Sequence, residues 1–139
     1  RTALRDMTQF LLDTDILVAF LRGIPEAIAE IERFYHENLR VITTSVTLFE
    51  LFGGVHTARD SEKKIRDVES LIDDMDILYF DTQSSRIVGK MYSELKRKGK
   101  LIDIVDQFIA GIVIAHNETL VTRNIKHFSA IDDLNIQTW

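Results

Sequence analysis

Short apolar runs alternate with longer amphipathic stretches along nearly the whole chain. Phe10-Leu11-Leu12 reads as a short buried strand, and residues 14–21 as an apolar helix that ends at Arg22-Gly23. Pro25 suits the first turn of a second helix over 26–37, where its missing N–H is no loss. Ile28, Ile31, Phe34 and Tyr35 then recur at helical spacing. Val41-Ile42-Thr43-Thr44 is entirely β-branched, and such stiff side chains favour a strand. Ser45 is a good N-cap for a helix from Val46 to about Thr57, with Phe49, Phe52 and Val55 on related faces. Residues 60–74 predict a charged helix with Ile65, Val68, Leu71 and Ile72 turned inward. Residues 76–80 predict a third strand. Asp81 or Thr82 then caps a long helix running to Lys98, and Gly99 ends it. Residues 104–116 are apolar on nearly every side, the pattern of a buried helix. A fourth strand is expected over 118–122 and a fifth over 135–138.

Strands alternating with helices imply an α/β fold of three layers, α/β/α, with a central and mostly parallel sheet of about five strands. Right-handed crossovers place every strand C-terminus at one edge. Asp13, Thr43 and Thr44, Asp81 and Thr122 fall at those ends. There is no repeat, low-complexity stretch or linker. The 139 residues are expected to form one domain over 7–139, with Met7 as the natural start and residues 1–6 as an added or upstream extension. The intact mass of the native protein checks that start.

The acids at these element ends carry the candidate chemistry. A carboxylate at the end of the first strand points into the crevice where open α/β sheets bind ligands. Asp13 holds that place, although Asp is also a preferred N-cap and a helix follows. Asp15 falls in the first helical turn, where the helix dipole favours an anion. Thr47 and Glu50 have capping-box spacing, but a helix capped by Ser45 puts Glu50 a full turn inside, between Phe49 and Leu51. A carboxylate among large apolar residues is costly unless paired or bound to a metal. Asp103 and Asp106, three apart, share one face at the start of the most hydrophobic helix. They either complement its dipole or face the cleft together, and the apolar surroundings favour the cleft. Thr122-Arg123-Asn124 follows a strand, where a turn is the plain reading. Converging carboxylates repel one another unless a divalent cation lies between them, so a metal site is the question this pattern raises.

Charge and composition then narrow the classes. Seventeen Lys and Arg against 22 Asp and Glu give −5, unlike the basic surface usual for nucleic-acid binders. Four acids taken up in one metal site would bring the remaining balance close to zero. The absence of Cys excludes disulfides, thiolate metal sites and Cys nucleophiles, and fits a cytoplasmic protein. The four His show no ligand spacing: His36 and His56 lie on charged helices, His116 at a helix end and His127 in a loop. No apolar run is long enough to span a bilayer, so no membrane is expected.

Four segments, in this order, resemble the PIN-domain ribonucleases, especially the VapC toxins of prokaryotic toxin–antitoxin pairs. Leu11-Leu12-Asp13-Thr14-Asp15-Ile16-Leu17 is similar to that family's opening, with Asp15 in place of the frequent Asn. Ser45-Val46-Thr47-Leu48-Phe49-Glu50-Leu51-Phe52-Gly53-Gly54 is similar to its S-x-T-x-x-E-L-x-x-G helix. Residues 102–110 are similar to D-x-x-D-x-x-I-A through Asp103 and Asp106, and residues 120–128 to L-V-T-x-N-x-x-H-F through Thr122, Asn124 and His127. The resemblance covers Met7 to Trp139 and implies a PIN-like fold. It implies metal-dependent hydrolysis of single-stranded or loop RNA, leaving 5′-phosphate and 3′-hydroxyl ends. Asp13, Glu50 and Asp106 fall on its three core acids and Asp103 on a further one. Asn124 stands where many members carry a fourth acid. Asp13 and Asp106 would then hold Mg²⁺ or Mn²⁺, with Glu50 and Asp103 as further or water-bridged ligands and Thr122, Asn124, Asp15 and Thr47 in support. The implied partners are RNA, a VapB-like antitoxin that inserts a basic side chain into the cleft, and a second copy in a homodimer.

Two other readings stand beside it. Asp13 and Asp15 after a strand also fit the D-x-D opening of haloacid-dehalogenase-like phosphatases, but Ile16 and Leu17 replace the small residues expected there and no lysine sits in a convincing motif. A PIN-like domain that grips RNA or protein without cutting is the third.

Overall fold

The computed structural model describes residues 9–139, so the expectation about Met7 and residues 1–6 lies outside the described residues. The elements follow in the order β1 (Phe10–Leu12), α1 (Thr14–Leu21), α2 (Pro25–His36), β2 (Ile42–Thr44), α3 (Ser45–His56), α4 (Ser61–Asp73), β3 (Asp76–Leu78), α5 (Thr82–Arg97), α6 (Ile104–Ala115), β4 (Thr119–Val121), α7 (Ile125–Phe128) and β5 (Ile136–Gln137). The five strands form one sheet in the order β3-β2-β1-β4-β5, and every neighbouring pair is parallel.

Alternation along each strand splits the core in two. Leu11, Ile42 and Leu120 face α5, α6 and α7, where they pack with Met91, Leu95, Ile109, Val113 and Phe128. Leu12 and Val121 face the other way and pack with Ile16, Leu17, Ile31, Phe34, Leu51 and Val68 from α1 to α4. These are the three layers that the alternating pattern predicts.

Several boundaries differ from the sequence reading. Thr44, not Ser45, caps α3: its hydroxyl accepts the N–H of Thr47 at 2.9 Å, so the helix starts one residue early. Thr44 still has extended backbone geometry, which Ser45 has already left. The third strand stops at Leu78, leaving Tyr79 and Phe80 outside the ladder, with Phe80 tilted against Phe108 at 4.6 Å between centroids. Asp81 is consumed as the cap of α5, accepting from the main-chain N–H and the hydroxyl of Ser84 at 2.9 and 2.8 Å. Gly99 has φ +69°, the left-handed geometry that ends a helix at little cost to glycine. Among the described residues, no helix is long and apolar enough to cross a membrane.

The strand order fixes where a ligand can enter. The chain runs from β1 outward to β2 and β3, then returns to the opposite side of β1 as β4 and β5. The reversal leaves a crevice beyond the C-terminal ends of β1 and β4, the topological switch point of the sheet.

Candidate active site

Register brings the first two groups together. Leu12 pairs with Val121, so Asp13 and Thr122 each stand one step past a matched pair, and Asp13 N–H continues the ladder to Val121 O at 3.0 Å. The Asp13 carboxyl caps α1, with Oδ1 accepting the N–H of Thr14 at 2.8 Å. Its Oδ2 accepts the buried Thr122 hydroxyl at 2.7 Å. The two readings of Asp13 therefore coexist, because one oxygen caps the helix while the side chain stays 3% exposed in the crevice. Burial pushes its pKa up to about 7, with the charges of Asp15 and Asp106 adding to the rise and the two hydrogen bonds opposing it.

Glu50 comes in from α3, held by a file of hydroxyls. Thr14 donates to Glu50 Oε1 at 2.6 Å, the Thr47 hydroxyl lies 3.2 Å from that of Thr14, and Thr44 donates to Thr47 at 3.2 Å. Each hydroxyl has a single proton, so the file runs in one direction and ends on the carboxylate. Burial raises the pKa of Glu50, Thr14 works against that rise, and the charges of Asp106 and Asp103 add to it. Thr47 is thus a buried link in this file rather than a cap.

Asp106 lies in the first turn of α6, half-buried. Its pKa is raised by burial and by Asp103, while His127, with Nδ1 at 3.3 Å from Oδ2, pulls it down. The expectation that Asp103 and Asp106 face the cleft together holds for Asp106 alone. Asp103 is exposed and caps α6, its Oδ1 accepting the N–H of Val105 at 2.8 Å. It stands at the rim, near enough for its charge to act on Glu50 and Asp106.

Asp13, Thr14, Asp15, Glu50, Asp106 and Asn124 line one cavity of about 410 Å³ together with Val18, Ala19, Arg22 and Ile24. The main-chain N–H of Asn124 donates to the Thr122 hydroxyl at 3.0 Å. Sequence reasoning passed over three contributors. Thr14 sat inside the first motif without a role. His127 had been read as a loop residue, yet α7 turns it toward Asp106. Arg22, a helix-end residue in the sequence, is the cation in the cavity wall.

A family model for the PIN domain matches residues 10–134. The chain belongs to the PIN-domain family. This PIN domain is 33% identical over 133 residues to the tRNA(fMet)-specific endonuclease VapC of Salmonella typhimurium, covering 96% of this chain and 99% of that one. It is 32% identical over 130 residues to ribonuclease VapC1 of Haemophilus influenzae, with 94% and 97% covered. Among solved structures it superposes with a TM-score of 0.88 on VapBC2 from Rickettsia felis bound to a DNA fragment from its promoter, at 28% identity and with 95% and 99% covered. The phosphatase reading finds no support in these relatives. It also lacks a lysine in the wall around Asp13, where the PIN domain has Arg22 instead.

The donor set suits a hard divalent cation. Four carboxylates, those of Asp13, Asp15, Glu50 and Asp106, and the Asn124 amide line the cavity, all carrying oxygen donors of the kind Mg²⁺ and Mn²⁺ take. Among the described residues no three Asp, Glu or His side chains are already gathered around a single point. The carboxyls line a shared volume; burial is the main cause of the raised pKa values of Asp13, Glu50 and Asp106, and repulsion from neighbouring acids, which a cation would relieve, adds to it.

The hydroxyl file makes a direct prediction. Thr14→Val leaves Glu50 without its donor, whereas Thr14→Ser keeps it. Cleavage of RNA by the valine variant is expected to fall about tenfold or more, the size of effect seen when a hydrogen-bond partner that orients a site carboxylate is lost, with the serine variant close to the unsubstituted protein. Equal rates for the two variants would remove Thr14 from the site.

Proposed function

We propose that this protein is a metal-dependent endoribonuclease that hydrolyses RNA phosphodiester bonds and serves as the toxin of a type II toxin–antitoxin pair. The observation that carries the reading is one cavity at the switch point, walled by Asp13, Glu50 and Asp106, in a PIN domain a third identical to a VapC endonuclease along nearly its whole length. Asp13 and Asp106 would hold Mg²⁺ or Mn²⁺, with Glu50 as a further or water-bridged ligand and Asp103, exposed at the rim and capping α6, reaching the ion only through water. Such an ion supplies a more acidic bound water and offsets negative charge on the phosphate.

The chain's own groups do the rest. Thr122 fixes the rotamer of Asp13, and the file through Thr14 fixes Glu50. His127 steadies Asp106 at its exposed side. Arg22, at the C-terminal end of α1, offers a cation in the lining of the same cavity, where it would meet a neighbouring backbone phosphate. The side-chain amide of Asn124 is neutral, so it can donate to a phosphate oxygen where a fourth carboxylate would repel it.

A second cavity of about 510 Å³ adjoins the first and shares Val18, Arg22 and Glu50 with it. Leu21, Leu51, Gly54, Val55 and Ala58 give it apolar walls, and Asp60, Lys63, Lys64 and Asp67 a charged rim. It suits an antitoxin segment that lays an apolar face between α1, α3 and α4 and extends a basic side chain toward Glu50. The reading places the protein in the cytoplasm, as a homodimer.

Incubating partner-free protein with structured RNA in Mn²⁺ or Mg²⁺, in EDTA, and beside Asp106→Asn tests this. Cleavage that needs the metal and disappears with Asp106→Asn is the expected result. Tight RNA binding without any cutting in Mn²⁺ would instead make this a PIN domain that only binds.

A further inference from the structure

Asp15 lies in the first turn of α1, two residues beyond Asp13, where the helix dipole alone would account for an acid. The structure gives it far more specific partners. Its Oδ2 accepts the main-chain N–H of Arg123 at 2.7 Å, with the Thr122 hydroxyl 3.2 Å away. Its Oδ1 accepts the indole N–H of Trp139 at 3.3 Å. The Trp139 ring in turn carries the Arg123 guanidinium 3.6 Å from its centroid, and Arg123 Nε donates to the Trp139 main-chain oxygen at 2.7 Å. Residues 15, 123 and 139 therefore close a ring of contacts across α1, the turn after β4 and the segment after β5.

The Thr122 hydroxyl explains why that ring matters. It has one proton and two carboxylates within reach: Asp13 Oδ2 at 2.7 Å and Asp15 Oδ2 at 3.2 Å. The proton can serve only one of them. Asp15 can leave it to Asp13 because Arg123 and Trp139 supply donors of their own.

We propose that Trp139 is a positioning residue of the acidic centre: its indole N–H, and its ring through Arg123, hold Asp15 aside and reserve the Thr122 proton for Asp13. The consequence for metal affinity rests on the metal-dependent reading above. An Asp15 without its indole partner competes for the Thr122 proton and moves its charge within the cavity, which loosens Asp13 as a ligand.

Trp139→Phe keeps an aromatic ring, though a smaller one, beneath Arg123 and removes the N–H. Mn²⁺ binding is measured by titration calorimetry on partner-free protein without RNA, with a thermal melt of each variant and RNA cleavage assayed separately. Trp139→Phe is expected to bind Mn²⁺ about tenfold more weakly, the usual loss when a ligand's supporting partner is removed, while melting within a few degrees of the unsubstituted protein. Asp15→Asn combined with Trp139→Phe is expected to recover most of that affinity, because a neutral amide neither needs the indole nor repels Asp13. Trp139 is the only tryptophan, so Asp15→Ala is also expected to shift the protein's indole emission. Unchanged Mn²⁺ affinity in Trp139→Phe would overturn the proposal. So would a loss that the double variant fails to recover and that accompanies a large fall in melting temperature, since that is mere structural support. Absence of Mn²⁺ binding by the unsubstituted protein would overturn it together with the metal reading. Mn²⁺ binding without RNA cleavage defeats the nuclease reading alone and leaves the affinity comparison to decide the role of Trp139.

Discussion

Asp13→Asn is expected to abolish RNA cleavage and, in metal-free protein at pH 8, to raise the melting temperature. The activity loss follows from the proposed role of Asp13 as a charged metal ligand in the acid-lined cavity. A group worth several kcal/mol to the transition state corresponds to about a thousandfold or more in rate. The stability gain follows from the pKa of Asp13, about 7 against an ordinary 3.8. The folded protein binds this proton more tightly than the unfolded chain does. Its contribution to stability is therefore fully present below about pH 3.8 and is lost as pH rises through about 7. At pH 8 the ionised carboxylate costs the metal-free fold on the order of 4 kcal/mol if the whole shift is counted. Asparagine escapes that cost but can accept through only one oxygen, so it gives up the bond to Thr14 or to Thr122, worth about 1 kcal/mol. A net gain of about 3 kcal/mol corresponds to roughly 10 °C for a chain of this size. The gain should shrink toward pH 5, where the native carboxyl keeps its proton. Melts with EDTA at both pH values, beside a cleavage assay, check both halves. An asparagine variant that melts below the unsubstituted protein at pH 8 would show that Asp13 is not strained by its burial. The same titration makes Mn²⁺ binding weaken as pH falls below 7, because the ion must displace the proton.

Gly111→Ala is expected to be destabilising, since Gly111 is, among the described residues, the one glycine at which an added Cβ meets neighbouring atoms. Gly111 lies in α6, and a Cβ built there would come within 2.2 Å of Val88 Cγ2 and 3.3 Å of the Ser84 main-chain oxygen in α5. Val88 and Ser84 are both buried, so neither can swing out to make room. Overpacking of this kind costs roughly 1–3 kcal/mol, against about 1 kcal/mol recovered from the better helix propensity of alanine. Such a close helix pair cannot separate without also moving Asp106, one and a half turns back along α6, so a loss of cleavage should accompany the loss of stability. Val88→Ala removes the atom in the way. On its own it leaves a small cavity and costs about 2 kcal/mol, but together with Gly111→Ala it should cost clearly less than the two singly. Urea unfolding of the two single variants and the double variant measures this coupling. Strict additivity would mean that α5 and α6 adjust freely and that the contact is not tight.

The strand and helix pattern was legible because burial imposes it locally. Phe10-Leu11-Leu12 and Val41-Ile42-Thr43-Thr44 have few ways to shelter their side chains, and both became strands of a parallel sheet. Boundaries were less legible. Ser45 and Thr44 are equally good caps on paper, and the choice between them depends on where β2 releases the chain. Tyr79 and Phe80 look like strand residues, but the ladder to β2 ends at Thr44 and Leu78.

The sequence by itself determined the three-layer parallel architecture and three of the cavity's acids, because Asp13, Glu50 and Asp106 stand at recognisable places in elements of recognisable type, while Asn124 reads there as a turn residue and stands out only through the family resemblance. Only the tertiary structure decided how those groups are held. The switch point between β1 and β4 sets Thr122 against Asp13, which lies 109 residues earlier in the chain. The packing of α1 on α3 gives Glu50 the Thr14 proton, and the segment after β5 brings Trp139 to Asp15 across 124 residues. Asp103, whose spacing from Asp106 promised a shared face, was turned to the rim because its carboxyl caps the helix that Asp106 already occupies. Local patterning reports which side chains must be buried and in what type of element. Which proton reaches which carboxylate depends on distances between residues far apart in the chain, and those exist only once the sheet has assembled.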